Sequence, residues 1–334
     1  MTGGSNGDES DTTELYNPST GDWTVGGKMK DRRWFHTASL LTSGKVLVAG
    51  GIFINSYHNV NHPFILQQAE LYDPSTGEWK STSSMNVVRF RHTASVLPNG
   101  KVLVVGGESQ PPSVTAEFYD SVTGNWTDTN TMQYIRILHS ATLLKNGLLL
   151  VSGGSSQLEY VLDKVESYNP LTDVWSAVSS MNVKRAGHTA NLLVDGKVLV
   201  SGGTDHDDIP LKSAELFDPS TLSWIVTGDM KIARGRHIAS LLTNGKVLVS
   251  GGLDLHGNGL SSAELYDPST GVWTLIDDMH YQRVHHTAAI LANGNVLVVG
   301  GLDDPSATRT PELYNPSTNT SMSMIERKKW TVGA

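Results

Sequence analysis

Six arginines and six histidines stand in one fixed register, each arginine three residues before its histidine: Arg33 and His36, Arg89 and His92, Arg136 and His139, Arg185 and His188, Arg234 and His237, Arg283 and His286. So many histidines invite a metal reading, and the arginines an anion reading. A transition-metal site needs three or four ligands converging at about 2.0–2.3 Å. Histidines that recur once per repeat belong to different packed sheets, about 10 Å apart, and cannot close on one ion. A third repeated charge accompanies them: Glu14, Glu70, Glu117, Glu166, Glu215, Glu264 and Glu312. The expected chemistry is therefore structural, a series of partly buried Arg–Glu pairs that pin one turn of each unit. Residues present in every unit serve the architecture, and function is sought where the units differ, above all in loops. No metal site and no cofactor is expected.

The elements that position these residues follow from the rest of the repeat. Gly-Gly pairs end apolar runs at Gly50, Gly106, Gly153, Gly202, Gly251 and Gly300, each 21 residues after a methionine (Met29, Met85, Met132, Met181, Met230, Met279). Between histidine and Gly-Gly lie two apolar runs joined by Ser43-Gly44, Asn99-Gly100, Asn146-Gly147, Asp195-Gly196, Asn244-Gly245 or Asn293-Gly294. Such dipeptides accept positive φ and predict tight hairpins. A third run of the AELYDP type leads through a Pro- and Gly-bearing turn to a fourth that starts at Trp79, Trp126, Trp175, Trp224 or Trp273. No helical period is present. Each unit of about 49 residues is thus a four-stranded sheet, too small to bury both faces alone, and must pack on its neighbours around an axis.

The Gly-Gly, Tyr and Trp at these spacings resemble the kelch repeat over nearly the whole chain. The resemblance implies an all-β, seven-bladed kelch β-propeller in a single domain, residues 1–334. Blades are expected near 36–84, 92–131, 139–180, 188–229, 237–278 and 286–323, with a closing blade shared by 1–28 and 324–334 and short of about one strand. Gly3-Gly4, Tyr16 and Trp23 would be its outer part, and Trp330-Thr331 the start of its inner strand. Ser321 stands where blade six should carry its tryptophan.

The resemblance also implies where a ligand docks: where the four-to-one and two-to-three loops surround the channel mouth. The residue just before each ring histidine varies, being Phe35, Arg91, Leu138, Gly187, Arg236 and His285. Kelch propellers that bind peptides use arginine there to hold acidic side chains, which makes Arg91 and Arg236 the expected contacts, with Trp34 and Phe35 as an aromatic anchor and His285 on the same face. The long segment Ile52 to Leu66 contributes Tyr57 and His58, and the other two-to-three loops contribute Glu108, Asp205, Asp254 and Asp303. The acidic loops show no EF-hand spacing and read as solvated. Asn125-Trp126-Thr127 and Asn319-Thr320-Ser321 are glycosylation sequons, meaningful only on a secretory route.

Bulk properties narrow the function. A net charge of -8 argues against nucleic acid as a partner. No apolar run is long enough for a membrane span, and the start MTGGSNGDESD is not a signal peptide. The chain has no cysteine. Among kelch propellers, the galactose-oxidase-like copper enzymes need a Tyr–Cys crosslink, which this chain cannot make, and the iron-dependent specifier proteins need Glu-x-x-x-Asp-x-x-x-His, which is absent. A sugar epimerase needs only an acid and a base and stands as the alternative. The favoured reading is a monomeric, non-enzymatic scaffold that docks an acidic protein or peptide segment, or a glycan.

Overall fold

The computed structural model describes residues 3, 10–55, 62–156, 160–303, 310–318 and 320–324. Among these there are six four-stranded antiparallel sheets and no helix. Blade 1 comprises Thr37–Leu40, Val46–Ala49, Ala69–Asp73 and Glu78–Ser81. Blades 2 to 6 repeat the order, beginning at Thr93–Val96, Ser140–Leu143, Thr189–Leu192, Ile238–Leu241 and Thr287–Ile290. Strands pair in sequence order, first to fourth, and the first strands of successive blades lie beside one another. That arrangement is a β-propeller. Blade 6 ends at Met324, one residue past the expected boundary, and its outer strand carries a register shift opposite Leu313 and Asn315.

The second strands are buried on both faces, as in Val102–Val105 and Val198–Ser201. Alternate residues of each face opposite neighbours, so every inter-blade layer is its own apolar cluster. Leu41, Leu47, Ala69, Met85, Val102, Val104 and Tyr119 fill the layer between blades 1 and 2. Each repeat tryptophan is paired across the strand with a Tyr or Phe and wedges against the preceding blade. Trp126 Nε1 donates to the Ser83 carbonyl, Trp175 to Asn130, Trp224 to Ser179 and Trp273 to Gly228, each at 2.8 Å.

The repeated charges pair as expected, and are more buried than expected. Arg33–Glu70, Arg89–Glu117, Arg136–Glu166, Arg185–Glu215, Arg234–Glu264 and Arg283–Glu312 lie 2.6–3.0 Å apart with almost no exposure of either partner. The arginine Nη1 also donates to the carbonyl of the first glycine of its own blade, as Arg89 does to Gly106 at 2.8 Å. The glutamate in turn accepts backbone N–H groups just after the methionine, as Glu117 does from Asn86 and Val87. Two polar ends of one loop are thereby satisfied away from water, the condition on which a buried ion pair is tolerated.

At the first glycine of the pairs that begin at Gly50, Gly106, Gly153, Gly202 and Gly251 the next blade presses close. Gly50 has φ 63°, and a Cβ there would stand 2.5 Å from the Arg89 carbonyl and 2.8 Å from His92 Cε1. The ring histidines complete the lock: Nε2 of His92, His139, His188 and His237 lies 2.9 Å from Thr37, Thr93, Ser140 and Thr189 of the preceding blade. Ile238 offers no hydroxyl to His286, which meets Ser250 instead, at 3.3 Å.

Ahead of blade 1, strands Glu14–Asn17 and Asp22–Val25 form a hairpin. On one side it meets blade 1, with Trp79 Nε1 donating to Thr13 Oγ1 at 2.9 Å and Met29 N to the Asp11 carbonyl at 2.8 Å. On the other, Trp23 and Tyr16 pack with Leu297, Val299 and Leu313 of blade 6. The hairpin therefore stands between blades 6 and 1. The structure contains the six complete blades expected; a seventh blade is not seen, since where the incomplete closing blade was expected only this two-strand hairpin is found among the described residues. Residues 325–334, expected to add an inner strand, lie outside them.

Candidate functional site at the channel mouth

The loop from each fourth strand to the next first strand is tied to the segment after the Gly-Gly pair. Trp34 bridges Ile52, Phe90 bridges Glu108, Ile137 bridges Ser155, Ala186 bridges Thr204 and Gly235 bridges Leu253. This antiparallel tie fixes the next residue, the one before the ring histidine, at the mouth of the channel. All six such residues are left-handed: Phe35, Arg91, Leu138, Gly187, Arg236 and His285 have φ between 51° and 60°. For a residue with a Cβ this conformation costs about 1–2 kcal/mol. Five of the six are not glycine, and strain of this kind held by its surroundings clusters at binding sites. Backbone bonds run between blades at this level, from Arg91 N to the Phe35 carbonyl and from Arg236 N to the Gly187 carbonyl.

The side chains converge. Phe35 stacks on Trp34 with centroids 4.7 Å apart and meets His285 edge-on at 5.4 Å. The Arg91 guanidinium lies 4.6 Å from the Phe35 centroid and 5.6 Å from that of Phe90. Arg236 is laid over Gly187, where a Cβ would stand 3.2 Å from its Cγ. No carboxylate of the described residues comes within ion-pair distance of Arg91 or Arg236, and the buried Arg91 Nε and Trp34 Nε1 have no acceptor among them. Burial first, then the neighbouring Arg236, hold the Arg91 pKa below the ordinary arginine value, with Glu108 acting in the opposite sense. Burial, with Arg236 and Arg91, pushes His285 down to about 4. Arg91 and a neutral imidazole are thus gathered on an aromatic floor, with Arg236 acting on both and donors left open, an arrangement that can take an anion.

Of the residues expected here, Trp34, Phe35, Arg91, Arg236 and His285 come together, with Glu108 close enough to act on Arg91. Asp205 and Asp254 are engaged elsewhere: their carboxylates accept the N–H groups of Asp207 and Ile209, and of His256 and Asn258, holding their own loops. Asp254 also lines a separate polar cleft with Asp278 and Gln282. The backbone of Asp303 pairs with Arg283, its side chain lying outside the described set. Tyr57 and His58 also fall outside the described residues. The flanks of their segment, Ile52–Asn55 and His62–Ile65, pair as a small ladder with Phe53 stacked on Phe64 at 5.2 Å. Phe90 was not singled out from sequence. Its signal was present, since the position two before the histidine also varies, from Trp34 to Phe90 to Gly235. Among the described residues no group of three or more His, Asp or Glu is placed to hold a metal ion.

A family model described as the kelch motif matches residues 139–182, 185–231 and 234–280. The chain carries kelch repeats. Among curated proteins, tRNA wybutosine-synthesizing protein 4 of Saccharomyces cerevisiae (strain ATCC 204508 / S288c) is 41% identical over 44 residues, 13% of this chain and 6% of that protein. Among solved structures, a fungal alcohol oxidase of the AA5 family in complex with copper superposes with a TM-score of 0.70 at 21% identity, covering 90% of this chain and 66% of that one. The kelch-repeat chain thus spans under two thirds of either protein. YjhT superposes with a TM-score of 0.62 at 17% identity, over 76% of this chain and 87% of its own. At these identities the two structures speak for the shared propeller fold.

Proposed function

We propose that this kelch-repeat propeller is a binding platform whose channel mouth docks an acidic segment of a partner polypeptide. The observation that carries the reading is Arg91, set on the Phe35 ring with its Nε unpartnered, and Arg236 at the equivalent left-handed position of another blade, neither with a carboxylate in ion-pair reach among the described residues. Holding like charges together has an electrostatic cost that an incoming carboxylate would relieve, with charge-assisted bonds worth about twice a neutral one. Trp34, Phe35 and Phe90 supply the aromatic area that dominates interfaces. The same reading includes ring closure: the hairpin of residues 14–25 with the C-terminal residues 325–334 makes a seventh, incomplete blade. The alternative, a sugar epimerase-like enzyme, draws on the fold shared with enzymes and would place an acid and a base at this mouth.

The test is calorimetry with a peptide carrying two or three glutamates, beside a panel of neutral and acidic glycans. Binding of the peptide by the wild type, lost in Arg91→Ala and Arg236→Ala, supports the platform. Binding of a glycan alone, with turnover at its anomeric carbon, supports the enzyme.

A further inference from the structure

Two positions of the repeat meet where the chain leaves one blade for the next. One is the residue whose carbonyl accepts the methionine N–H, as Lys212 does from Met230 and Ser261 from Met279. The other is the residue just before that methionine. Where a described carboxylate stands at either position of the other units, a lysine answers it. Asp11 meets Lys28 at 3.5 Å, Asp229 meets Lys212 at 3.7 Å with the charges exchanged, and Asp163 meets its neighbour Lys164 at 3.2 Å. Blade 5 departs from this. Asp278 stands in the place of Asp229, and Ser261 in the place of Lys212. Among the described residues no cation comes within ion-pair distance of Asp278. The buried Arg234 feels its charge but is committed to Glu264 at 3.0 Å.

The same exchange coincides with a cleft. Blades 4 and 5 carry two-to-three loops of matching backbone pairing: Thr204 bridges Pro210 as Leu253 bridges Gly259, and Asp205 N donates to Ile209 as Asp254 N donates to Asn258. Within that common frame Pro210 and Lys212 become Gly259 and Ser261. Where those two side chains are given up, blade 5 has a cleft of about 440 Å³, with Ile232, Asp254, Leu260, Ser261, Asp278 and Gln282 on its walls. Every residue that lines it belongs to the described set. The Asp254 carboxylate is held by the N–H groups of His256 and Asn258, each at 2.8 Å. Asp278 is the carboxylate left open.

We propose that this cleft is a second binding site, which takes a lysine side chain presented by a partner polypeptide. Lys212 of blade 4 defines the chemistry: an ammonium at the Asp278 carboxylate, and an aliphatic stem laid along half-buried Ile232 and Leu260. The place of the cleft defines the source. Ile232 and Gln282 belong to the same two loops that carry Arg236 and His285, which puts the cleft on the loop face, beside a chain docked at the mouth. The site uses none of the mouth's own groups, so either proposal can fail alone.

The probe is the blocked tripeptide Gly-Lys-Gly, titrated into the ¹⁵N-labelled full chain and followed through the amide signals of Gly259 and Ser261. A peptide of this size in an open cleft should bind with Kd on the order of 1 mM. The same peptide with its lysine ε-acetylated keeps the stem and loses the charge. It should bind at least ~10-fold more weakly, the loss of one hydrogen bond to a charged group. Asp278→Asn, at an exposed position, should weaken the probe as much with Tm unchanged. Asp229→Asn removes an equal charge that Lys212 already answers, and should leave the probe's affinity unchanged. Ser261→Lys should fill the cleft from within, weakening the probe at least ~10-fold by intramolecular occupancy; Asp278→Asn serves if that variant folds poorly. The probe carries no carboxylate, so its result is independent of the mouth. No shift at several times that Kd, equal shifts with the acetylated peptide, or equal weakening by Asp278→Asn and Asp229→Asn overturns the proposal.

Discussion

The guanidinium of Arg91 lies 4.6 Å from the centre of the Phe35 ring, and both residues hold a left-handed backbone, at φ 54° and 51°. The contact spans two blades, so the cation is set by a neighbour's aromatic rather than by a neighbour's acid. A cation on an aromatic face is worth about 0.5–1 kcal/mol where water still reaches it, far less than a carboxylate would supply. Arg91 is therefore positioned and left electrostatically unfulfilled.

Replacing Arg91 or Phe35 with glycine separates binding from folding. Glycine removes a left-handed cost of about 1–2 kcal/mol and adds an unfolded-state entropy of about 0.5–1 kcal/mol, so stability should stay within about 1 kcal/mol of wild type. Acidic-peptide affinity should fall ~10-fold or more, consistent with losing a hot-spot arginine or its platform. Urea denaturation with calorimetry checks both halves. A loss of several kcal/mol would make these residues core packing instead.

The buried ion pairs give a second outcome. Arg89 and Glu117 lie 2.6 Å apart, both inaccessible. Arg89→Met leaves the carboxylate uncompensated and should cost about 3–5 kcal/mol. Glu117→Gln keeps an acceptor for Asn86 and Val87 but strands the guanidinium. Combined, the two should cost less than their sum, with a coupling of about 1–3 kcal/mol. Additive losses in denaturant melts would mean that the residues act separately.

The outcome for the repeated residues was legible because a six-fold register averages out accident: arginine and glutamate take one role in all six blades, and tryptophan in the five that carry it. The mouth was legible in part, through the variable position before each histidine. Phe90 escaped because its importance lies in touching Arg91, a contact between side chains that no spacing encodes. The local role of Asp205 and Asp254, each accepting two N–H groups of its own turn, is not carried by spacing either, because a carboxylate in a loop looks the same in sequence whatever it binds.

The ring histidines make the protein acid-sensitive. Burial, with the nearby arginines, holds His139, His237 and His286 near pKa about 3 and His92 and His188 well below 6.5. These bases stay neutral in the folded state and take a proton when unfolded below about pH 6.5. The unfolded state then binds more protons, so stability falls as pH falls from about 6.5 to about 3. Each histidine contributes up to about 1.4 kcal/mol per pH unit, and five together would exhaust a typical 5–15 kcal/mol within about one to two units. Circular dichroism should show a steep acid transition between about pH 6 and 4. His139→Gln, which keeps a hydrogen-bonding group near Thr93, should make the pH dependence shallower. A flat profile down to pH 4 would mean that the histidines are protonated in place.

The N-terminal hairpin decides how the ring closes. If it is the outer part of a seventh blade, its contacts should copy those between complete blades, and they do at several points. Gly3 N donates to the Thr12 carbonyl as Gly50 N donates to Gln68, and Met29 N donates to Asp11 as Met85 N donates to Gln67. A Cβ on Gly3 would meet the Arg33 carbonyl and His36 Cε1, the same pair of atoms by type that Gly50 meets in Arg89 and His92. Tyr16 and Trp23 keep the cross-strand pairing and a 5.1 Å ring contact, close to that of Tyr72 and Trp79 at 5.2 Å. Deleting residues 1–25 would uncover Leu297 and Val299 on blade 6 and leave Trp79 without Thr13, exposing an apolar sheet face of the kind that drives association. Such a loss goes well beyond that of a loose terminus. The shortened chain should aggregate or melt far below the parent in light scattering and calorimetry. Replacing both Tyr16 and Trp23 with alanine should reproduce part of the loss, because the hairpin would remain but its wedge would not. A deletion variant that stays monomeric with the parent's Tm would mean that six blades close the ring by themselves and that the hairpin is an accessory to it.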